Sequence, residues 1–182
     1  MDSSALIAAL QEANPGAQLE AVPSVDLQTT LYIGRDDVPA VLRALRDRDD
    51  LAFTFLAELT AADFWPREPR FELIYLLVSF THRQRIRVKV RLRGDDAHVA
   101  TVSDVWPAAN WLEREVWDLF GIVFDHHPDP RRLLMPEDWE GFPLRKDYPV
   151  QIRMTPRISE AIQLTEEEFR ANMEKDRLVR RD

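Results

Sequence analysis

Residues 71–93 read FELIYLLVSFTHRQRIRVKVRLR, two strand-like runs in immediate succession. The first, Phe71–Phe80, is apolar on both alternating sets, which suits a central strand covered on each side. The second carries a basic residue at every odd position from Arg83 to Arg93: Arg83, Arg85, Arg87, Lys89, Arg91 and Arg93. Its even positions hold Ile86, Val88, Val90 and Leu92 behind Gln84. Side chains alternate faces along a strand, so this run has an apolar inner face and a cationic outer one. Two readings of the cations stay open. They are a solvated face with acidic cross-strand partners such as Glu72, or a stripe that meets an acidic neighbour.

Outward from this pair, Asp26–Ile33 alternates Leu27, Thr29, Leu31 and Ile33 against polar residues and predicts a strand with one buried face. Leu51–Thr60 predicts another, with Leu51, Phe53, Phe55 and Leu59 on one side. Asp63–Pro69, with Trp65-Pro66, is the loop that follows. Helices are expected at Ala5–Glu12 and from Val38, the latter capped by Asp36 or Asp37 with Pro39 in its first turn. The fold class is therefore α+β: a mixed, mostly antiparallel sheet with flanking helices. An irregular proline-rich extension and a C-terminal helix follow it.

Pro107 opens a further helix that runs to Phe120, with Gly121 placed to end it. At about 100° per residue, Ala108, Ala109, Leu112, Val116, Leu119 and Phe120 share one face. Trp111, Arg114, Glu115 and Asp118 share the other, where Arg114 is spaced to pair with Asp118, and Trp117 flanks them. Six of the twelve prolines come after Gly121 and leave only extended and turn conformations. Thr165 and Glu168 form a capping box for a last helix to about Arg180. The organisation expected is residues 1–122 as an α/β domain, and 123–182 as an extended partner-docking segment with a helical tail.

Composition excludes several chemistries. No cysteine is present among the 182 residues, so thiolate-held clusters, cysteine zinc sites, disulfides and cysteine nucleophiles are ruled out. The five glycines are scattered, whereas a dinucleotide fingerprint or a P-loop needs them clustered. A net charge of -8 argues against nucleic acid. The longest apolar run, Leu73–Phe80, falls far short of the roughly 20 residues of a membrane span. The start, Met1-Asp2-Ser3-Ser4, lacks a secretion signal, so a cytoplasmic location is expected.

Three clusters invite a catalytic reading and fail it. Adjacent His126 and His127 point apart on an extended chain and lack a third metal ligand, so satisfied loop histidines are expected. Glu113, Glu115 and Asp118 surround Arg114, the pattern of a structural ion network. Arg131-Arg132 and Arg145-Lys146 alternate with Asp129, Asp138 and Asp147, as in interface salt bridges. From the residues alone, no catalytic, cofactor-binding or metal site is expected. The chain reads as an interaction protein.

The run Glu113-Arg114-Glu115-Val116-Trp117-Asp118-Leu119-Phe120-Gly121, with His127-Pro128-Asp129 and Arg131-Arg132-Leu133-Leu134, resembles the 30 kDa subunit family of respiratory NADH:quinone oxidoreductase (complex I). Asp138-Trp139-Glu140-Gly141 and Pro143-Leu144-Arg145-Lys146-Asp147-Tyr148-Pro149 extend the match, and the resemblance covers roughly Asp26 to Pro149. It departs at Phe142, where many members carry His, at His126, where Gly is common, and at Pro130, where Leu is frequent. A proton-handling histidine at position 142 is therefore absent.

The resemblance implies a non-catalytic structural component of the peripheral arm of a proton-pumping enzyme. Such a component docks on the quinone-site (49 kDa, or D) subunit beside the iron–sulfur subunits (B and I). It is peripheral, on the cytoplasmic side of the bacterial inner membrane. It binds no cofactor, while the complex uses NADH, FMN, iron–sulfur clusters and quinone. The positions implied at the interface are Trp111, Glu113, Arg114, Glu115, Trp117, Asp118, Phe120 and Gly121 on the helix. His127, Pro128, Asp129, Arg131, Arg132 and Leu133 follow, and then Trp139, Gly141, Pro143, Arg145, Lys146, Asp147, Tyr148 and Pro149. The alternatives are the equivalent component of a ferredoxin- or plastoquinone-linked dehydrogenase or a membrane-bound hydrogenase, and an independent soluble enzyme using His126 and His127.

Overall fold

The computed structural model describes residues 3–149 and positions 167 and 170. The helix expected from Thr165 to Arg180 lies outside the described residues, those two positions excepted. In chain order the elements are α1 (Ser3–Ala13), β1 (Leu19–Val22), β2 (Thr29–Ile33), α2 (Val38–Asp47), β3 (Phe55–Asp63), β4 (Phe71–Ser79), β5 (Gln84–Leu92), β6 (His98–Ala100), α3 (Ala109–Phe120) and β7 (Val123–Asp125). Residues 1–148 make one compact unit and 149–182 a second.

The five-stranded sheet has the order β1-β2-β5-β4-β3. Only the β2–β5 pair in it is parallel, and the rest is antiparallel. The fold is α+β, as the alternating patterns require. Leu73, Tyr75 and Leu77 of β4 and Ile86, Val88 and Val90 of β5 are buried on one face. They share a single core with Leu6 and Leu10 of α1, Val41, Leu42 and Leu45 of α2, and Val116 and Phe120 of α3. All three helices therefore lie on the same side. The opposite face of β4, at Glu72, Ile74, Leu76 and Val78, is only half-buried, so this strand is not covered on both sides as its composition predicted.

Three further expectations are corrected, each by a local competitor for backbone hydrogen bonds. β2 starts at Thr29 rather than Asp26, and Leu27 is 94% exposed. Asp26 accepts the N–H of Gln28 and the N–H of Leu27 donates to the Ser24 carbonyl, a turn that removes these residues from the sheet. Leu51 and Phe53 are buried but precede the strand, because the N–H groups of Leu51, Ala52 and Phe53 donate to carbonyls of Arg48 and Leu45 and close α2. Phe55 then faces away from the core, 47% exposed. Asp37 does stand before α2, but its carboxylate accepts the N–H of Gln18 instead of capping the helix.

Of the basic stripe, Lys89 pairs with Glu72 at 2.8 Å, Arg87 with Asp26 at 2.6 Å and Arg93 with Asp95 at 2.9 Å. Arg91 reaches Glu20 and lies 3.8 Å over the Tyr32 ring.

Candidate docking surface

Helix α3 begins at Ala109, two residues later than Pro107 suggests, and ends at Gly121 in the left-handed conformation (φ 72°). That φ suits glycine, and a Cβ there would sit 2.5 Å from both the Phe142 ring and Arg145 Nη2. The helix faces differ from the periodic reading. Glu113, Arg114 and Asp118 are buried together with Ala109, Val116 and Phe120, whereas Trp111 is 58% exposed. The reason is that residues 126–148 fold back over the polar face of α3 and cover it.

Asp118 organises this return. One carboxylate oxygen accepts the N–H groups of Leu133, Leu134 and Met135 at 2.8–3.0 Å, and the other meets Arg132 Nη1 at 2.6 Å. Burial pushes its pKa up, but these four donors outweigh burial and hold the carboxyl below the usual range. Arg114 does not pair with Asp118 as expected. It donates to the carbonyls of Arg131 and Arg132, both at 3.0 Å, and meets Asp129 at 3.3 Å. Arg132 also donates to the Trp139 carbonyl at 2.8 Å. An irregular segment has no ladder to satisfy its backbone, and here side chains of α3 take that role.

A second group fastens the end of the segment. Arg145 donates to the carbonyls of Phe120 and Gly121, orphan acceptors of the helix terminus. Burial and the neighbouring Arg70 lower its pKa from the usual guanidinium value. Arg70 bridges Asp63 at 2.8 Å and Asp147 at 2.6 Å, and Asp63 also accepts the N–H of Lys146 at 2.8 Å. Burial opposes the ionised form of Asp63, yet Arg70 and two backbone N–H groups bring its pKa down to about 2. Tyr148 stacks on Trp139, and its ring lies where a Cβ at Gly141 (φ 81°) would fall, 2.8 Å away.

Glu113 is fully buried and holds the other side of α3. It accepts the N–H of Val102 at 2.8 Å and the hydroxyl of Thr101. Desolvation outweighs those bonds and pushes its pKa up to about 7. His127 is satisfied, as a loop histidine should be. Nδ1 accepts the Asp129 N–H at 3.0 Å, so Nε2 carries the proton donated to the Asn110 carbonyl at 3.1 Å. Its Nε2 lies 3.7 Å from Glu113. His126 is exposed with φ 64°. Among the described residues no group of three or more His, Asp or Glu could hold a metal ion.

The structure thus gathers most of the expected interface positions onto one ledge. Glu113, Arg114, Asp118, Phe120, Arg132 and Arg145 face inward, and Gly121 and Gly141 make room for ring contacts. Pro128, Arg131, Lys146, Asp147 and Pro149 are exposed, while Glu115, Trp117, Leu133, Trp139, Pro143 and Tyr148 are half-buried. Large apolar side chains reach solvent at Trp111, Leu134 (60%) and Leu144 (49%). Sequence reading missed Asp63, Arg70 and Thr101. Asp63 and Arg70 flank the loop joining two apolar strands, a placement that would put them face to face.

The chain matches the family described as "Respiratory-chain NADH dehydrogenase, 30 Kd subunit" over residues 31–153. It belongs to that family. Relatives named as the C subunit of NADH-quinone oxidoreductase include one from Roseiflexus sp. (strain RS-1), 44% identical over 151 residues, 82% of this chain and 86% of the relative. Another, from Geobacter metallireducens, is 46% identical over 125 residues, 68% of this chain and 76% of the relative. Among solved structures, a chain of "the membrane-bound sulfane sulfur reductase (MBS), an archaeal respiratory membrane complex" is 26% identical with a TM-score of 0.67, covering 89% of this chain and 98% of that one. The match of the 30 kDa family takes in the elements from β2 onward and the tethered return segment, while α1 and β1 precede it. Among the described residues, no helix of this family member is long and apolar enough to cross a membrane.

Proposed function

We propose that this chain is a non-catalytic structural subunit in the peripheral arm of a proton-pumping NADH:quinone oxidoreductase. Its ledge docks on the quinone-site (49 kDa, D) subunit, beside the iron–sulfur subunits (B and I), on the cytoplasmic side of the membrane. One observation carries the reading. A proline-rich segment of more than twenty residues is held against α3 by buried charges, while Trp111, Leu134 and Leu144 are left exposed. A loop is normally polar and loosely held. One pinned this firmly, with apolar tips outward, suits a preorganised surface that loses little further entropy on binding.

The role is support. Electron transfer and quinone reduction need groups held in fixed geometry, which packed neighbouring shells supply. With no cysteine, this chain contributes no thiolate to the clusters. It binds no cofactor of its own, and NADH, FMN, clusters and quinone belong to its neighbours. Likeness to a sulfane sulfur reductase complex favours one second reading. In it, the same fold serves a related assembly, such as a ferredoxin- or plastoquinone-linked dehydrogenase or a membrane-bound hydrogenase.

Mild-detergent extraction of membranes with a tag on this chain tests both. Recovery together with iron–sulfur subunits and NADH:quinone activity is expected. Recovery with such subunits but without NADH oxidation would favour the second reading, and recovery of free chain alone would contradict both.

A further inference from the structure

The open face of the sheet is unlike a solvated one. Cross-strand register places Phe55, Val78 and Arg85 in one row across β3, β4 and β5. The next rows hold Glu58, Leu76 and Arg87, and then Thr60, Ile74 and Lys89. Ile74, Leu76 and Val78 form a half-exposed aliphatic rib along β4, where an antiparallel sheet facing water would alternate to polar residues. At its end the Phe55 and Phe80 rings pack at 5.6 Å and remain 47% and 66% exposed.

The cations beside the rib divide in two. Arg87, Lys89, Arg91 and Arg93 have the acidic partners described above. Arg83 and Arg85, both exposed, have no ion pair or hydrogen bond among the described residues, and they stand at the aromatic end. Two unpaired guanidiniums next to an apolar rib, in a chain of net charge -8, define a complementary occupant. It must be apolar along one line and acidic along its flank.

We infer that this face is a second docking surface, which takes an acidic amphipathic helix of another subunit. The inference rests on the proposed role inside a multisubunit complex. Over the three nine-residue strands β3, β4 and β5 the strand spacings make a face roughly 15 Å by 30 Å. A helix about 10 Å across fits along the rib with room for its flank to meet Arg83 and Arg85. A second copy of this chain would bring a like-charged stripe instead, and a lipid surface would not select for the aliphatic rib.

The test uses the full chain in its complex, with a photo-crosslinking phenylalanine analogue at Leu76 and a second probe at Val78. After irradiation the tagged complex is isolated and the linked peptide sequenced. The inference expects one peptide from another subunit, with apolar residues three and four apart and Asp or Glu beside them. Arg85→Glu should lower the yield about tenfold while Arg85→Lys preserves it, as expected of a charge contact. The thermal midpoint of the isolated Arg85→Glu chain should match the parent, since Arg85 is exposed and has no hydrogen bond or ion pair among the described residues. Links at both probes to a second copy, to lipid or to nothing, in a complex that retains activity, would overturn this inference alone. Failure to recover the chain with other subunits would overturn the proposed role as well.

Discussion

At Asp118 a buried carboxylate costs free energy, yet it accepts three backbone N–H groups and an arginine that would otherwise be unsatisfied. Removing such a centre strands its donors. Asp118→Ala should therefore destabilise the chain by about 3–5 kcal/mol, read by urea denaturation, and expose residues 131–135 to proteolysis. Glu113 behaves in the opposite sense. Its pKa is raised from the ordinary 4.5 to about 7, so the folded state holds a proton that the unfolded chain releases. Its contribution is complete below about pH 4.5 and is lost as pH rises through about 7, roughly 3 kcal/mol in all. Glu113→Gln should flatten the stability profile between about pH 5 and pH 8, which thermal melts across that range would measure. Asp63 runs the other way, losing its contribution only as pH falls from about 4 toward its folded value of about 2. That α3 carries a dense charge network could be read from Glu113 to Asp118. Who pairs with whom could not, because Arg114 and Asp118 each found a backbone partner more than ten residues away.

Among the elements, those defined by simple alternation were read well. β4 and β5 lie within a residue or two of the expected spans, and α2 buries Val38, Val41, Leu42 and Leu45 as its periodicity requires. Strand starts were missed wherever a turn or a helix end captured the backbone, as at Leu27 and at Leu51–Phe53. The junction of α3 with the return segment is the element most exposed to disruption. Gly121→Ala should cost about 1–2 kcal/mol for its left-handed φ, and more if Phe142 and Arg145 cannot yield to the added Cβ. Arg145→Glu would turn a donor to the last carbonyls of α3 into an acceptor beside them, so it should lower the thermal midpoint of the isolated chain. Asp147 is more exposed, at 45% of its side chain, and Asp147→Lys should cost less because Arg70 retains Asp63. Motif reading alone assigned both residues to an interface. Their contacts give them a structural duty within this chain too.

At the scale of the whole molecule, among the described residues, the five-stranded sheet carries α1, α2 and α3 on one face and leaves the other open, and a tethered ledge runs along the outer side of α3. The family region reaches from within the second strand past the end of that ledge, so the ledge and most of the sheet fall in one family match. Sequence made that ledge visible through its motif, but the inward turn of its charges became visible only once the return segment was placed. On the proposed role, the molecule is a support whose buried charges hold the ledge and whose exposed apolar tips meet a neighbour. A photo-crosslinker in place of Leu134, in the detergent-extracted active complex, tests this most directly. A covalent product with the quinone-site (49 kDa, D) partner is predicted. An active complex in which the probe reaches only solvent, or only a different neighbour, would contradict it.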